Sequence, residues 1–168
     1  MLFWASALAA PPKLLPQPDQ LAVGQGSFTL SRSALIAAPK DDRGANEAAT
    51  QLAWLLASSN KLELKVGEGR GAVRFVRKDG FPSEGYQLAA SSRGVTITAS
   101  TDAGLLYGAV TAWQLATGDQ PNVIPAVTIN DAPKFPWRGL MIDSARHFQS
   151  PEYIRQLIDW MAVNKLNI

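Results

Sequence analysis

The sequence has no cysteine and a single histidine, His147. These absences exclude a disulfide framework, a thiolate zinc site, a thiol nucleophile and any histidine-rich metal cluster. Charge of one sign is also lacking: 16 Lys and Arg stand against 14 Asp and Glu, a net charge of +2. Nucleic acid is therefore a poor partner, because phosphate binding needs a concentrated basic surface. No stretch reaches the roughly 18 apolar residues of a membrane span. What remains is an ordinary globular composition, 46% hydrophobic and 18% charged over 168 residues, about one domain's worth of chain.

The first residues are the exception to the mixed pattern. Leu2 to Leu8 form a short apolar run, and Ala7-Leu8-Ala9 followed by Ala10-Pro11-Pro12 has the small-residue pattern of a cleavage site. Residues 1–10 are a candidate signal peptide. The positive region that usually precedes such a run is missing, so an apolar tail packing on the domain is the alternative.

Downstream, Lys13 to Gln25 reads as an extended lead-in, and Phe28, Leu30 and Ala34 to Ala38 read as strand. Asp41 and Asp42 offer caps to a helix over Ala45 to Ser58, whose apolar face carries Ala48, Leu52, Leu55 and Leu56, with Trp54 read as core. Short alternating runs at Leu62–Val66 and Val73–Phe75 predict strands. Tyr86–Ala90 and Val95–Ala99, joined by Ser91-Ser92-Arg93-Gly94, predict a hairpin. Thr101 caps a helix to about Thr117, in which Gly104 and Gly108 share a face, so that its backbone is expected to lie close against the sheet. Ile124–Ile129 is a further strand. The order β-α-β-β-β-β-α-β describes an α+β domain, an antiparallel-rich sheet with two helices on one face.

Pro133 and Pro136 then break the pattern, and a boundary is placed at 132/133: residues 11–132 form one domain and 133–168 begin another. Gly139-Leu140-Met141-Ile142 has the continuous apolar character of a strand buried on both faces. Ser150, Pro151 and Glu152 open a helix with the stripe Ile154, Leu157, Ile158 and Met161, and Leu166-Asn167-Ile168 resembles the start of another strand. This is the β-α-β unit of a parallel fold, which needs neighbouring strands. The chain is expected to be part of a longer polypeptide.

The stretch Phe135-Pro136-Trp137-Arg138-Gly139-Leu140-Met141-Ile142-Asp143-Ser144-Ala145-Arg146-His147-Phe148 resembles the opening of the catalytic barrel in glycoside hydrolase family 20, the β-N-acetylhexosaminidases, and Asp159 to Ile168 (DWMAVNKLNI) is similar to the next part of that barrel. Glu84-Gly85-Tyr86-Gln87-Leu88, Thr101 to Gly108 and Ile124-Pro125-Ala126 resemble the family's non-catalytic second domain. The resemblance implies the first β-α unit of a (β/α)8 barrel after residue 133 and a periplasmic or secreted enzyme. It implies hydrolysis of terminal β-linked N-acetylglucosamine or N-acetylgalactosamine, from a glycan or from chitin- or peptidoglycan-derived oligosaccharides, and no cofactor or metal. The implied chemistry is substrate-assisted: the acetamido oxygen attacks the anomeric carbon, an Asp orients it, and an adjacent Glu serves as acid and base. None of the 14 carboxylates here forms an Asp-Glu dipeptide, and the family's pair lies beyond the equivalent of Ile168. The isolated chain is therefore expected to be inactive, with the remainder of the barrel required. A stand-alone carbohydrate- or partner-binding module is the alternative.

By the same resemblance Arg138 grips sugar hydroxyls, while the residues alone favour a strand-start arginine pairing with Asp143 or Glu152, because structural ion pairs are commoner than sites. Asp143, Arg146 and His147 are candidate pocket support, with His147 read as a hydrogen-bonded structural residue. Trp137 could stack on a sugar or be buried.

Overall fold

A computed structural model describes residues 10–168. Residues 1–9, which hold most of the candidate leader and Trp4, lie outside the described residues. The chain divides into two compact units, one ending at Ala132 and one spanning Pro133–Ile168.

The first unit is a seven-stranded sheet carrying two helices. Its elements run β1 (Gln20–Thr29), β2 (Leu35–Ala37), α1 (Arg43–Asn60), β3 (Lys65–Gly67), β4 (Val73–Arg77), β5 (Tyr86–Ser91), β6 (Gly94–Ala99), α2 (Asp102–Ala116) and β7 (Val123–Asp131). The spatial order is β1-β7-β5-β6-β4-β2-β3. The sheet is mixed: β1, β7, β5 and β6 pair antiparallel, whereas β6, β4, β2 and β3 pair parallel. Period-two alternation buries Val73 and Phe75, Tyr86, Leu88 and Ala90, and Val95, Ile97 and Ala99 in one core with the helices.

Strand β1 departs from the expected lead-in. Four steps along it, from Val23 to Ser27, span only two on β7, from Val127 to Pro125. This bulge lies opposite Pro125, which has no N–H to give the ladder. Gly26 takes φ +87° within it. The two glycines and the register change hide the alternation that would have marked a strand.

The helices show why glycine and aspartate stand where they do. The Asp42 carboxylate caps α1 by accepting the Ala45 N–H at 2.9 Å. Thr101 caps α2, accepting from Gly104 N–H at 3.2 Å and donating to the Ser83 carbonyl. A methyl on Gly104 would lie 2.4 Å from the Gly85 carbonyl oxygen, and one on Gly108 2.4 Å from Ile97 Cγ2. The α2 backbone therefore lies directly on the sheet, as the paired glycines predict. Trp54, expected in the core, is 51% exposed. It is two residues from Leu52, about 200° around the helix, and so faces outward.

One long-range ion cluster ties both helix starts to the sheet. The Arg77 guanidinium donates from Nε and Nη2 to the two Asp42 oxygens (2.9 and 2.7 Å), and from Nη2 to Asp102 at 2.5 Å. The Arg77 hydrogen bonds hold the Asp42 carboxyl below its ordinary value of 3.8. Because the folded value is depressed, this stabilisation is complete above the unfolded pKa and is lost as pH falls through the folded one. We predict that the denaturation midpoint falls below about pH 4 more steeply in the parent chain than in Arg77→Met. Parallel pH profiles for the two proteins would refute the linkage.

Candidate functional site

The second unit carries the residues that sequence singled out. Helix α3 (Pro151–Val163) starts at Ser150, whose hydroxyl accepts the Tyr153 N–H at 3.2 Å, with Pro151 and Glu152 in the first turn as expected. It ends in a Schellman turn. Lys165 N–H bonds the Ala162 carbonyl at 3.1 Å and Leu166 N–H the Met161 carbonyl at 2.9 Å, while Lys165 adopts φ +57°. Glycine usually fills that position, and a lysine tolerates it at a conformational cost of roughly 1 kcal/mol.

This turn brings 165–168 beside 136–140. Ile168 N–H donates to the Arg138 carbonyl and Leu140 N–H to the Ile168 carbonyl, both at 3.2 Å, the bond pair that places Gly139 opposite Ile168 in a parallel ladder. Any side chain at 139 would collide there, since a Cβ would stand 2.3 Å from the Ile168 carbonyl oxygen. Pairing extends no further into a strand. Leu140, Met141 and Ile142 are 54%, 94% and 40% exposed, which corrects the expectation that this run is buried. Burial on both faces needs strands on each side and helices above and below, and this unit holds one helix. Helix α3 likewise buries none of its residues, Ile158 included.

Arg138 sits half-buried at the centre of this pairing. Its Nε donates to the Lys165 carbonyl at 2.8 Å and Nη1 to the Phe135 carbonyl at 2.6 Å. Its backbone N–H donates to Asn167 Oδ1 at 3.0 Å. Asp143 and Glu152, the alternative ion-pair partners, go elsewhere: Asp143 to Arg146 at 3.3 Å and Glu152 to Arg155 at 3.6 Å. Both are exposed pairs of small energetic weight.

Asp143 also accepts the Ala145 and Arg146 N–H groups, at 3.1 and 3.2 Å, so it closes an Asx turn on which Arg146 and His147 stand. His147 is exposed, its backbone N–H directed at the Asp143 carbonyl (3.4 Å). Its ring has no hydrogen bond among the described residues, in place of the hydrogen-bonded structural role expected of it. Trp137 is 68% exposed, as a stacking surface would have to be. The structure thus joins Arg138 to the 165–168 segment and joins Asp143 to Arg146, with no bond between the two groups. Sequence alone did not point to Asn167 or to the Lys165 carbonyl.

Among the described residues no set of three His, Asp or Glu side chains stands close enough to hold a metal, and no helix is long and apolar enough to cross a membrane. Two shallow hollows of the first unit lie along the outer face of α1 and at the Asp42–Arg77–Asp102 cluster, where Arg43 pairs with Glu47 and Arg77 with both aspartates.

Comparison with known proteins gives this geometry a context. Residues 11–132 match the sequence profile "Glycosyl hydrolase family 20, domain 2", and residues 135–168 match "Glycosyl hydrolase family 20, catalytic domain". The chain belongs to glycosyl hydrolase family 20. A β-hexosaminidase of Porphyromonas gingivalis is 32% identical over 168 residues, the match covering 92% of this chain and 21% of the relative. The N-acetyl-β-hexosaminidase of Streptomyces plicatus superposes with a TM-score of 0.84 at 32% identity, covering 92% of this chain and 33% of that one. The family 20 exo-β-N-acetylglucosaminidase of Vibrio harveyi, solved with N-acetylglucosamine, gives 0.84 at 30% identity, with 95% and 26% covered. The chain therefore spans between about a fifth and a third of the length of these family 20 relatives. It corresponds to their second domain and to the start of their catalytic domain.

Proposed function

We propose that this chain is the amino-terminal part of an exported β-N-acetylhexosaminidase that removes terminal β-linked N-acetylglucosamine or N-acetylgalactosamine by substrate-assisted, retaining hydrolysis. The single observation that carries the reading is the match of both segments, in order, to the two domains of one hydrolase family. Residues 11–132 form the non-catalytic domain, and 133–168 open the (β/α)8 barrel. The bond that breaks is the glycosidic C–O bond. The sugar's acetamido oxygen closes on the anomeric carbon, and water then opens that intermediate with retention.

Within this scheme the chain contributes substrate recognition. The Arg138 guanidinium is planar and presents donors at fixed angles, which suits two neighbouring hydroxyls on a ring. Its anchorage on the Lys165 and Phe135 carbonyls supports this role, because a pre-oriented donor loses less entropy on binding. Trp137 offers an exposed aromatic face beside it. Asp143, Arg146 and His147 shape the adjoining turn. The proton donor is supplied by the rest of the catalytic domain, as no Asp-Glu dipeptide is present here.

The test is a chromogenic β-N-acetylglucosaminide offered to the polypeptide that joins this chain to a complete catalytic domain. Turnover is expected there and none from the 168-residue chain alone. Saturable binding of chitin oligosaccharides by the 168-residue chain, with no turnover by the longer protein, would replace the proposal with a glycan-binding module.

A further inference from the structure

We infer that Asn167 is a positioning residue for Arg138: its carboxamide clamps the backbone on which the guanidinium is mounted, so that it governs sugar binding without touching the sugar. The inference rests on the role proposed above for Arg138.

The clamp consists of three hydrogen bonds. Asn167 Oδ1 accepts the Arg138 N–H at 3.0 Å, Nδ2 donates to the Pro136 carbonyl at 2.9 Å, and the Asn167 backbone N–H donates to the Arg138 carbonyl at 2.8 Å. A carboxamide holds one acceptor and two donors in a single plane. Here it engages the carbonyl of 136 and the N–H of 138 as an adjacent strand would. Aspartate, when ionised, has no donor for Pro136, and glutamine is longer by a methylene. Asparagine is the side chain that fits both requirements at this reach.

The same short segment holds the other end of Arg138. The Schellman turn closing α3 turns the Lys165 carbonyl toward Nε at 2.8 Å and delivers Asn167 two residues later. The backbone of Arg138 and the Nε side of its guanidinium are thus both held by residues 165–167, and a shift of that turn moves both together. Trp137 lies between the two clamped peptides, so its placement depends on the same contacts. A displacement of about 1 Å in a binding group lowers catalysis as much as a hundredfold, which makes the clamp consequential although it is remote from the bond that breaks.

Two measurements test this. In the polypeptide with a complete catalytic domain, Asn167→Ala is expected to lower kcat/KM about tenfold to a hundredfold, chiefly through KM. Adding it to Arg138→Ala should cost well under the loss it causes alone, only what passes through Trp137, because the clamp acts mainly through Arg138. Wild-type kcat/KM in Asn167→Ala, or losses that multiply in the double variant, would overturn the inference. In the 168-residue chain, amide exchange at Arg138 is expected to quicken at least about tenfold in Asn167→Ala, which removes its acceptor, while exchange at Leu88 and Ile97 in the core stays slow. Unchanged protection of the Arg138 amide would overturn it too. This second measurement needs no turnover: an inactive wild-type protein refutes the proposed function and leaves the clamp to be decided by exchange.

Discussion

Gly104→Ala should lower the stability of the 168-residue chain by about 2 kcal/mol, read as an earlier urea midpoint, even though alanine is the better helix former. Two effects compete. The substitution gains roughly 1 kcal/mol of intrinsic helix propensity. Against it, the new methyl stands 2.4 Å from the Gly85 carbonyl oxygen and 2.8 Å from Ala99 Cβ. Neither neighbour can rotate away, since one is main chain and the other is a fully buried residue of β6. Overpacking costs about 1–3 kcal/mol in ordinary cores, and contact with fixed backbone belongs at or beyond the upper end. The clash therefore outweighs the propensity gain. Gly118→Ala is the control, because a Cβ there meets nothing nearer than the Leu115 carbonyl at 3.4 Å, and its midpoint should stay within about 0.5 kcal/mol of the parent. A Gly104→Ala protein as stable as the parent would show that α2 does not rest on the sheet.

The glycine pair was legible because its signal is local: two helix-breaking residues one turn apart have few other reasons to occur together. The Asp42 cap and the β5–β6 hairpin were legible for the same reason, each lying in a few consecutive residues. What escaped was either masked or distributed. Strand β1 was hidden by a bulge whose facing residue, Pro125, lies about a hundred residues away. The Arg77 cluster joins β4 to the starts of two helices, and nothing near Arg77 in sequence announces that. The apolar character of 139–142 reports which surface calls for cover, and pattern alone does not say what covers it. At the candidate site, the resemblance pointed to Arg138 itself. Asn167 escaped because its role comes from a left-handed turn at Lys165, a residue type that seldom marks one.

Arg138→Lys is expected to reduce kcat/KM of the polypeptide with a complete catalytic domain by a factor on the order of ten to a hundred. A hydrogen bond from a charged donor contributes about 1.5–3 kcal/mol, and a group presenting two such bonds to a ring loses at least one of them on replacement by an ammonium. Lysine also lacks the planar fork through which Nε and Nη1 engage the Lys165 and Phe135 carbonyls, so the surviving charge is poorly aimed. If the bonds to the hydroxyls are equally strong in ground and transition states, the loss falls on KM; if they tighten as the sugar ring distorts, kcat falls as well. A structural defect could imitate either outcome, and substrates lacking one ring hydroxyl at a time separate the cases. Removing the hydroxyl that Arg138 is proposed to bind should lower kcat/KM steeply for the parent protein and little for Arg138→Lys, because the variant has already lost that contact. Equal sensitivity of both proteins to every hydroxyl deletion would make Arg138 a fold residue and return the sugar-recognition role to other parts of the catalytic domain.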